Sequence, residues 1–300
     1  MNIFNKAVVS VLPVFPKKLI RIFANKYIAG DNINDGVKKV KELNGAGILT
    51  TMDVLGEAIK NKEEAILSKN ESIEVLDTIE KYKLNSNLSV KLTMIGLNLN
   101  FDFCLSLITE IVEHAKSKNN FARIDMEDSS VTESTVKIFE TLKKKYDNVG
   151  IVLQAYMRRS EADVLRLTEI GANFRICKGI YIEPEKIAFK KRQEVRDNFL
   201  KLIRLALEKK SYVGIATHDS YVIEGSKKII SELGLKKDEY EFQMLLGVTE
   251  NHRYKILKDG YKMRVYVPFG DRWYQYSMRR FKENPNMVGA VMKSLFRINN

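Results

Sequence analysis

The feature that most restricts what this chain can fold into is a pattern repeated eight times. A short β-type run is followed by a longer stretch in which apolar residues recur every three or four positions. In order, the runs are GILTTMDVL, LSVKLTMIGL, FARIDMED, GIVLQAYM, NFRICKGIY, YVGIATHD, EFQMLLGV and MRVYVPFG. Between them lie helical stretches such as SLITEIVEHAKSK, TESTVKIFETLKKKY, SEADVLRLTEIG and FLKLIRLALEKK. The runs read as mostly apolar rather than strictly alternating, as expected of strands covered on both faces. Eight such units in one undivided chain predict an α/β protein, a (βα)8 barrel rather than an open doubly wound sheet. Residues 1–45 read as an N-terminal helical segment and residues 46–300 as the barrel. The interval between the seventh and eighth runs leaves room for only an abbreviated helix.

In such a barrel, chemistry belongs at the carboxyl ends of the strands. Polar residues gather there: Asp53 on the first run, Lys91 on the second, Asp125 and Glu127 on the third, and Gln154 on the fourth. The fifth run supplies Arg175, Lys178 and Tyr181, the sixth Thr217, His218 and Asp219, the seventh Gln243 and the eighth Tyr266. An inward charge is costly unless it is paired or faces a ligand. Plain structural readings stay open: Lys91 closing a salt bridge with Asp125, and His218 as a satisfied core histidine. His114 and His252 lie in helical patterns and read as surface. DMED is accompanied by no HxH or HExxH, so no metal is expected. There is no GxSxG elbow, no P-loop, and no GxGxxG after a strand. With Lys91, Arg175 and Lys178 the mouth is basic, suited to an anionic ligand, a phosphate-bearing cofactor or both.

After the eighth run, YQYSMRRFKE puts Tyr276, Arg279, Arg280 and Glu283 on one side of a helix. Taken alone, that side is a solvated surface. The formal net charge of +12 suggests an anionic partner, but basic residues are spread among 38 acids. No zinc-finger, basic-zipper or RNP-like pattern supports nucleic acid. The two cysteines, Cys104 and Cys177, have no metal-ligand spacing and fit a reducing compartment. The apolar stretch Ala7–Phe15 falls well short of the ~20 residues that span a bilayer. The N-terminal segment therefore reads as an amphipathic helix packed on the domain, with a basic face suited to a membrane surface.

From YIAGD to RRFKENP, the blocks TMDVLGE, SVKLTMIGL, RIDMED, LQAY, RICKGIY, ATHD, EFQMLLG and RVYVPFGDRWYQYSMRRFKENP occur in the order seen in the proline dehydrogenase family, which the chain resembles. The resemblance implies a distorted (βα)8 barrel, noncovalent FAD at the strand carboxyl ends, and a last helix closing over the mouth. It implies oxidation of L-proline to 1-pyrroline-5-carboxylate, with hydride passing from C5 to flavin N5 and electrons onward to a membrane quinone. Arg279 and Arg280 would pair with the proline carboxylate, with Lys91 as third cation. Tyr181, Leu245, Tyr266 and Tyr276 would enclose the ring, and Asp125 would orient Lys91. Arg175 would lie by flavin N5 and Gln154 by the pyrimidine side. Lys178, Gly179 and Ile180 would form the adjoining wall, Thr217 and His218 would contact the ribityl-pyrophosphate, and Glu283 would bond the cofactor from the closing helix. The family also implies a separate 1-pyrroline-5-carboxylate dehydrogenase as metabolic partner, and a cytoplasmic location with peripheral contact at the inner face of the membrane. Two positions depart from its pattern: KGIYI stands where KGAYW is common, placing Ile180 and Ile182, and Cys177 stands where valine is common. The alternatives are a Schiff-base aldolase on the same barrel, using Lys91 or Lys178 as nucleophile, and a nonenzymatic basic binding module.

Overall fold

Each of the eight runs carries one strand: β1 (Leu49–Val54), β2 (Ser86–Val90), β3 (Ala122–Ile124), β4 (Val149–Gln154), β5 (Phe174–Cys177), β6 (Val213–Ala216), β7 (Tyr240–Leu245) and β8 (Met263–Phe269). The computed structural model describes residues 20–21, 24–56, 59–274 and 276–278. Arg279, Arg280 and Glu283, on which part of the substrate and cofactor reading rests, lie outside the described residues, as does 1–19. All neighbouring strands are parallel and the sheet closes, β8 pairing with β1 in the register Thr51 to Tyr266 and Asp53 to Pro268. The barrel expectation holds.

Among the described residues eight helices alternate with the strands: α1 (Ile33–Gly45), α2 (Lys62–Lys81), α3 (Phe101–Ser117), α4 (Ser129–Lys143), α5 (Ser160–Thr168), α6 (Arg192–Glu208), α7 (Ser220–Glu232) and α8 (Glu250–Lys258). Several start on an Asn or Asp whose side chain accepts from the first-turn N–H groups: Asn32, Asn61, Asn100, Asp128 and Asp219. The seventh interval does hold a short helix, the nine-residue α8. Helix α1 precedes β1 yet packs outside both β1 and β8. Gly36 lies so close to Met52 and Phe269 that a Cβ there would meet them at 3.0 and 3.1 Å. It thus takes the place on the outer ring that a helix following β8 would otherwise fill.

Two expectations are corrected. The strands do alternate. Met52, Ile124, Phe174, Ile176, Phe242, Met244, Val265 and Val267 join the core under the helices. The residues between them face inward, because they bond across the barrel to strands that are not neighbours: Arg175 to Gln243, and Tyr266 to the end of β3. The lumen is therefore polar, where barrels of this class are usually filled by branched apolar side chains. Glycines make room for it. A Cβ on Gly150, opposite Arg123, would sit 2.4 Å from the guanidinium.

The strand ends also come earlier than the runs suggest. LSVKLTMIGL is strand only to Val90; Lys91 is still extended, and Leu92–Ile95 form a 3₁₀ turn ending at Gly96, whose φ is +99°. Lys91, Asp125, Lys178, Tyr181, Thr217, His218 and Asp219 thus stand just beyond strands rather than on them. That places them at the mouth, where loops converge.

Candidate active site

The centre of the mouth is one hydrogen-bonded cluster. Lys91 Nζ donates to Asp53 Oδ1 at 2.6 Å and to the Tyr266 hydroxyl at 3.3 Å, and lies 3.5 Å from Asp125 Oδ2. The Tyr266 hydroxyl donates to Asp125 Oδ2 at 2.7 Å. Asp125 Oδ1 accepts from Arg175 Nη1 and from Ser89 Oγ, both at 2.7 Å. Arg175 Nε donates to Gln243 Oε1 at 2.7 Å, and its guanidinium stacks over the Tyr266 ring, 5.1 Å from the centroid. Among the described residues Arg175 Nη2 makes no hydrogen bond. Four predicted residues, Lys91, Asp125, Arg175 and Tyr266, are thus brought into direct contact. The nearest partner of Lys91 is Asp53 rather than Asp125, so Asp125 orients Arg175 and Tyr266 at least as much as Lys91.

Burial by itself would make the Lys91 ammonium easier to deprotonate, but the charges of Asp53 and Asp125 outweigh that and hold its pKa above the usual lysine value. Burial likewise works against the Asp125 carboxylate, yet Lys91 and Arg175 keep it below the usual range. Burial pushes the Tyr266 hydroxyl well up, helped by Asp125 and Asp53. A Schiff-base lysine needs the opposite environment, a depressed pKa. Lys91 is held as a cation, which fits charge recognition and not nucleophilic attack.

A second group lies on the β5 and β6 loops. Asp219 accepts from Arg196 through both carboxylate oxygens at 2.9 Å and is in contact with Lys178, with Arg192 3.5 Å away. Burial disfavours its charge, but the bonds from Arg196 and Lys178 hold the carboxyl well below the usual range. Three cations converge on one carboxylate, leaving a positive surplus, and Asp219 also caps α7 by accepting from the Tyr221 N–H. Thr217 Oγ1 accepts from the Asp219 N–H. His218 Nε2 accepts from the Leu245 N–H at 3.2 Å, so its proton sits on Nδ1, 3.0 Å from Thr249 Oγ1. The ring thereby ties β6 to the β7–α8 loop and sets the position of Leu245.

Gln154 donates from Nε2 to the Glu127 carbonyl, while the Glu127 carboxylate accepts from the backbone and hydroxyl of Thr93. Gly179 has φ +98°, and a Cβ there would meet the Tyr156 ring at 2.1 Å, so only glycine fits. Ile180 and Ile182 on the same loop are exposed, Ile182 completely. The loop itself is anchored, because Glu183 accepts from the Ser129 N–H and hydroxyl at 2.7 and 2.6 Å. Tyr276 is buried with Ala24, Ile28, Leu55 and Trp273. Among the described residues no group of His, Cys, Asp and Glu is arranged to hold a metal ion, and none of their helices is long and apolar enough to cross a membrane.

Sequence reading gave no role to Asp53 or Gln243 and missed Ser89, Arg192 and Arg196. A signal for the last two exists: cations at i and i+4 in the opening turns of a helix oppose its dipole and call for an anion.

A closed parallel barrel carrying a ring of paired charges at its carboxyl-end mouth places the chain among (βα)8-barrel enzymes. The sequence model of the proline dehydrogenase family matches residues 36–293, and the chain belongs to that family. Proline dehydrogenase 2 of Bacillus subtilis (strain 168) is 38% identical over 275 residues, spanning 92% of this chain and 91% of its own. The proline dehydrogenase of Deinococcus radiodurans is 30% identical over 279 residues, spanning 91% and 90%. The crystal structure of proline utilization A from Bdellovibrio bacteriovorus, inactivated by N-propargylglycine, superposes with a TM-score of 0.81 at 26% identity. It covers 88% of this chain, which spans only 33% of that longer protein.

Proposed function

We propose that the chain oxidises L-proline to 1-pyrroline-5-carboxylate, the first step of proline catabolism, with noncovalent FAD in the barrel mouth. The observation that carries this reading is the Lys91–Asp53–Asp125–Arg175–Tyr266 cluster in a member of this family. The residues present fit a flavin dinucleotide. Lys178, Arg192 and Arg196 around the single carboxylate Asp219 offer the charge surplus a pyrophosphate needs. The exposed Ile180 and Ile182 are apolar surface that a bound cofactor would cover. Arg175 would face the ring system, Gln154 its pyrimidine edge, and Lys178, Gly179, Thr217 and His218 the chain between; Glu283 joins from the segment after β8. When bound, the flavin supplies the acceptor for the hydride that leaves proline C5.

The chain's own residues bind and orient. Asp53 and Asp125 keep Lys91 protonated, so that it meets the proline carboxylate as a cation together with Arg279 and Arg280. Holding the carboxylate at three points fixes C5, which is the positioning share of the rate. Tyr181, Leu245, Tyr266 and Tyr276 shape the ring site. With Lys91 and Tyr266 held above their usual ranges and Asp125 below its own, none of the three is poised to take a proton at neutral pH. Proline reacts with its amine already deprotonated, and none of these three groups serves as the base. Electrons pass to a membrane quinone at the inner face of the membrane, approached peripherally, and the product goes to a separate 1-pyrroline-5-carboxylate dehydrogenase.

The test is uptake of FAD by the purified chain and turnover with an artificial quinone acceptor. L-proline should be consumed and D-proline should not. A chain that neither carries FAD nor can be reconstituted with it overturns the reading.

A further inference from the structure

Arg175 is 6% exposed and occupies the middle of the lumen, held through Nη1 by Asp125 on the mouth side and through Nε from below. Its Nε–H donates to Gln243 Oε1 at 2.7 Å. An amide can present either end, and here the choice is made by the next residue in the line. Gln243 Nε2 donates to Glu241 Oε1 at 2.7 Å, and an ionised carboxylate only accepts. The amide is therefore locked with its oxygen toward Arg175. Glu241 is in turn gripped by Arg264, whose Nε and Nη2 donate to its two oxygens at 2.6 and 3.1 Å. Burial pushes the Glu241 carboxyl up, but Arg264 and the bonds from Gln243 and Tyr212 outweigh it and hold it below the usual range. Glu241 thus stays charged at neutral pH, and the lock stays closed.

This line has a seat prepared for it. In the sheet register, Gly214 of β6 lies between Arg175 of β5 and Glu241 of β7. A Cβ at Gly214 would fall 2.4 Å from Gln243 Nε2. The missing side chain is what lets the amide cross between the two charged groups. The foot of the line, Glu241 and Arg264, opens on a cleft of about 560 Å³ at the amino ends of the strands, far from the mouth. None of Gln243, Glu241 and Gly214 stands at the mouth beside Lys91.

We propose that Gln243 and Glu241 are positioning residues for Arg175: they fix its guanidinium so that its remaining donor, Nη2, is aimed at the flavin ring, and Gly214 provides the space they need. The proposal rests on the reading that Arg175 faces the flavin. A displaced guanidinium leaves proline binding intact, because the carboxylate is held by other cations, but weakens the stabilisation of negative charge on the reduced cofactor.

Two variants test it. In Gly214→Ala only the end of a flexible side chain must move, so the fold survives while the amide is pushed off Arg175. In Gln243→Leu the acceptor is removed at similar size. Both should lower kcat for L-proline by about ten- to a hundredfold with proline affinity unchanged, and both should shift the flavin midpoint potential to more negative values. In protein labelled with ¹⁵N-arginine and free of flavin, the Arg175 Nε–H resonance, assigned by its loss in Arg175→Lys, should be protected in wild type and exchange far faster in both variants. Should Gln243→Leu fail to fold, Gly214→Ala decides. Arg175→Ala separates the two layers of the argument. If it leaves the potential where it was, the placement of Arg175 at the flavin fails. If it shifts the potential while Gly214→Ala leaves both potential and Nε–H exchange unchanged, the positioning role is overturned.

Discussion

Asp53→Asn isolates the charge that holds Lys91. The aspartate side chain is 2% exposed, its Oδ1 accepts from Lys91, and its Oδ2 is buried with no hydrogen-bond partner. An amide nitrogen in place of Oδ2 therefore breaks no bond, and the substitution removes chiefly a charge. At an effective dielectric of about 20, the Lys91–Asp53 attraction at 2.6 Å is roughly 6 kcal/mol and the Lys91–Asp125 attraction at 3.5 Å roughly 5 kcal/mol. The first is lost. It is offset in part because a buried carboxylate no longer has to be desolvated and no longer repels Asp125. Breaking a buried pair from one side costs about 3–5 kcal/mol. Because the hydrogen bond survives and Asp125 remains, the lower end applies, about 3 kcal/mol. For a chain of this size that is a fall in Tm of roughly 6 °C. The assay is denaturant unfolding of wild type, Asp53→Asn, Lys91→Met and the double variant. The double variant should be more stable than the sum of the single losses predicts, by more than about 1 kcal/mol. The pair attracts only while both partners are charged: the lysine pKa is raised in the fold, so the contribution is lost as pH rises through the folded lysine value, and burial pushes the Asp53 carboxyl up, so it is also lost as pH falls through the folded Asp53 value. Additive losses, within about 0.5 kcal/mol, would refute the reasoning.

Asp219 has the opposite sign. Its carboxyl is held below the usual range, so its stabilisation is present above about pH 4 and lost as pH falls through the folded value. Asp219→Asn keeps the α7 cap, and its deficit against wild type should be clear in unfolding at pH 7 and shrink in acid; a deficit independent of pH would contradict the ion-pair account. Gly150→Ala should cost about 1–3 kcal/mol in thermal unfolding, because its Cβ would meet the Asn173 carbonyl at 2.7 Å as well as Arg123; a neutral result would mean the lumen yields more easily than its packing implies. Arg280→Ala should weaken proline binding by about 2–5 kcal/mol in a titration of the FAD-loaded protein, and unchanged affinity would remove its carboxylate role.

The strand count was legible because each run ends in a turn and each outward face is apolar. The lumen was not, although its pattern was present. Arg123/Asp125, Arg175/Cys177, Glu241/Gln243/Leu245 and Arg264/Tyr266 recur at strict period two, yet each run still contains enough Val, Ile, Phe and Met to pass as buried on both faces. What hid the meaning is distance along the chain. A buried charge is tolerable only with its partner, and those partners are remote: Arg175 and Gln243 are 68 positions apart, and Tyr266 and Asp125 are 141. At the mouth two carboxylates at similar chain distance from Lys91, Asp125 and Asp53, could each be its partner, and only the fold shows that Asp53 is the nearer, at 2.6 Å against 3.5 Å. From its place beside the sixth strand alone, His218 reads equally as a satisfied histidine or a ligand contact, and only the fold supplies the bonds of its ring nitrogens to Leu245 and Thr249.

The central claim, that the cluster at this mouth serves the oxidation of proline by a bound flavin, is tested most directly by anaerobic addition of L-proline to the FAD-loaded protein. Bleaching of the oxidised-flavin absorbance near ~450 nm, in step with one equivalent of proline per flavin, is the predicted result. An oxidised spectrum that stays unchanged at saturating L-proline would contradict it.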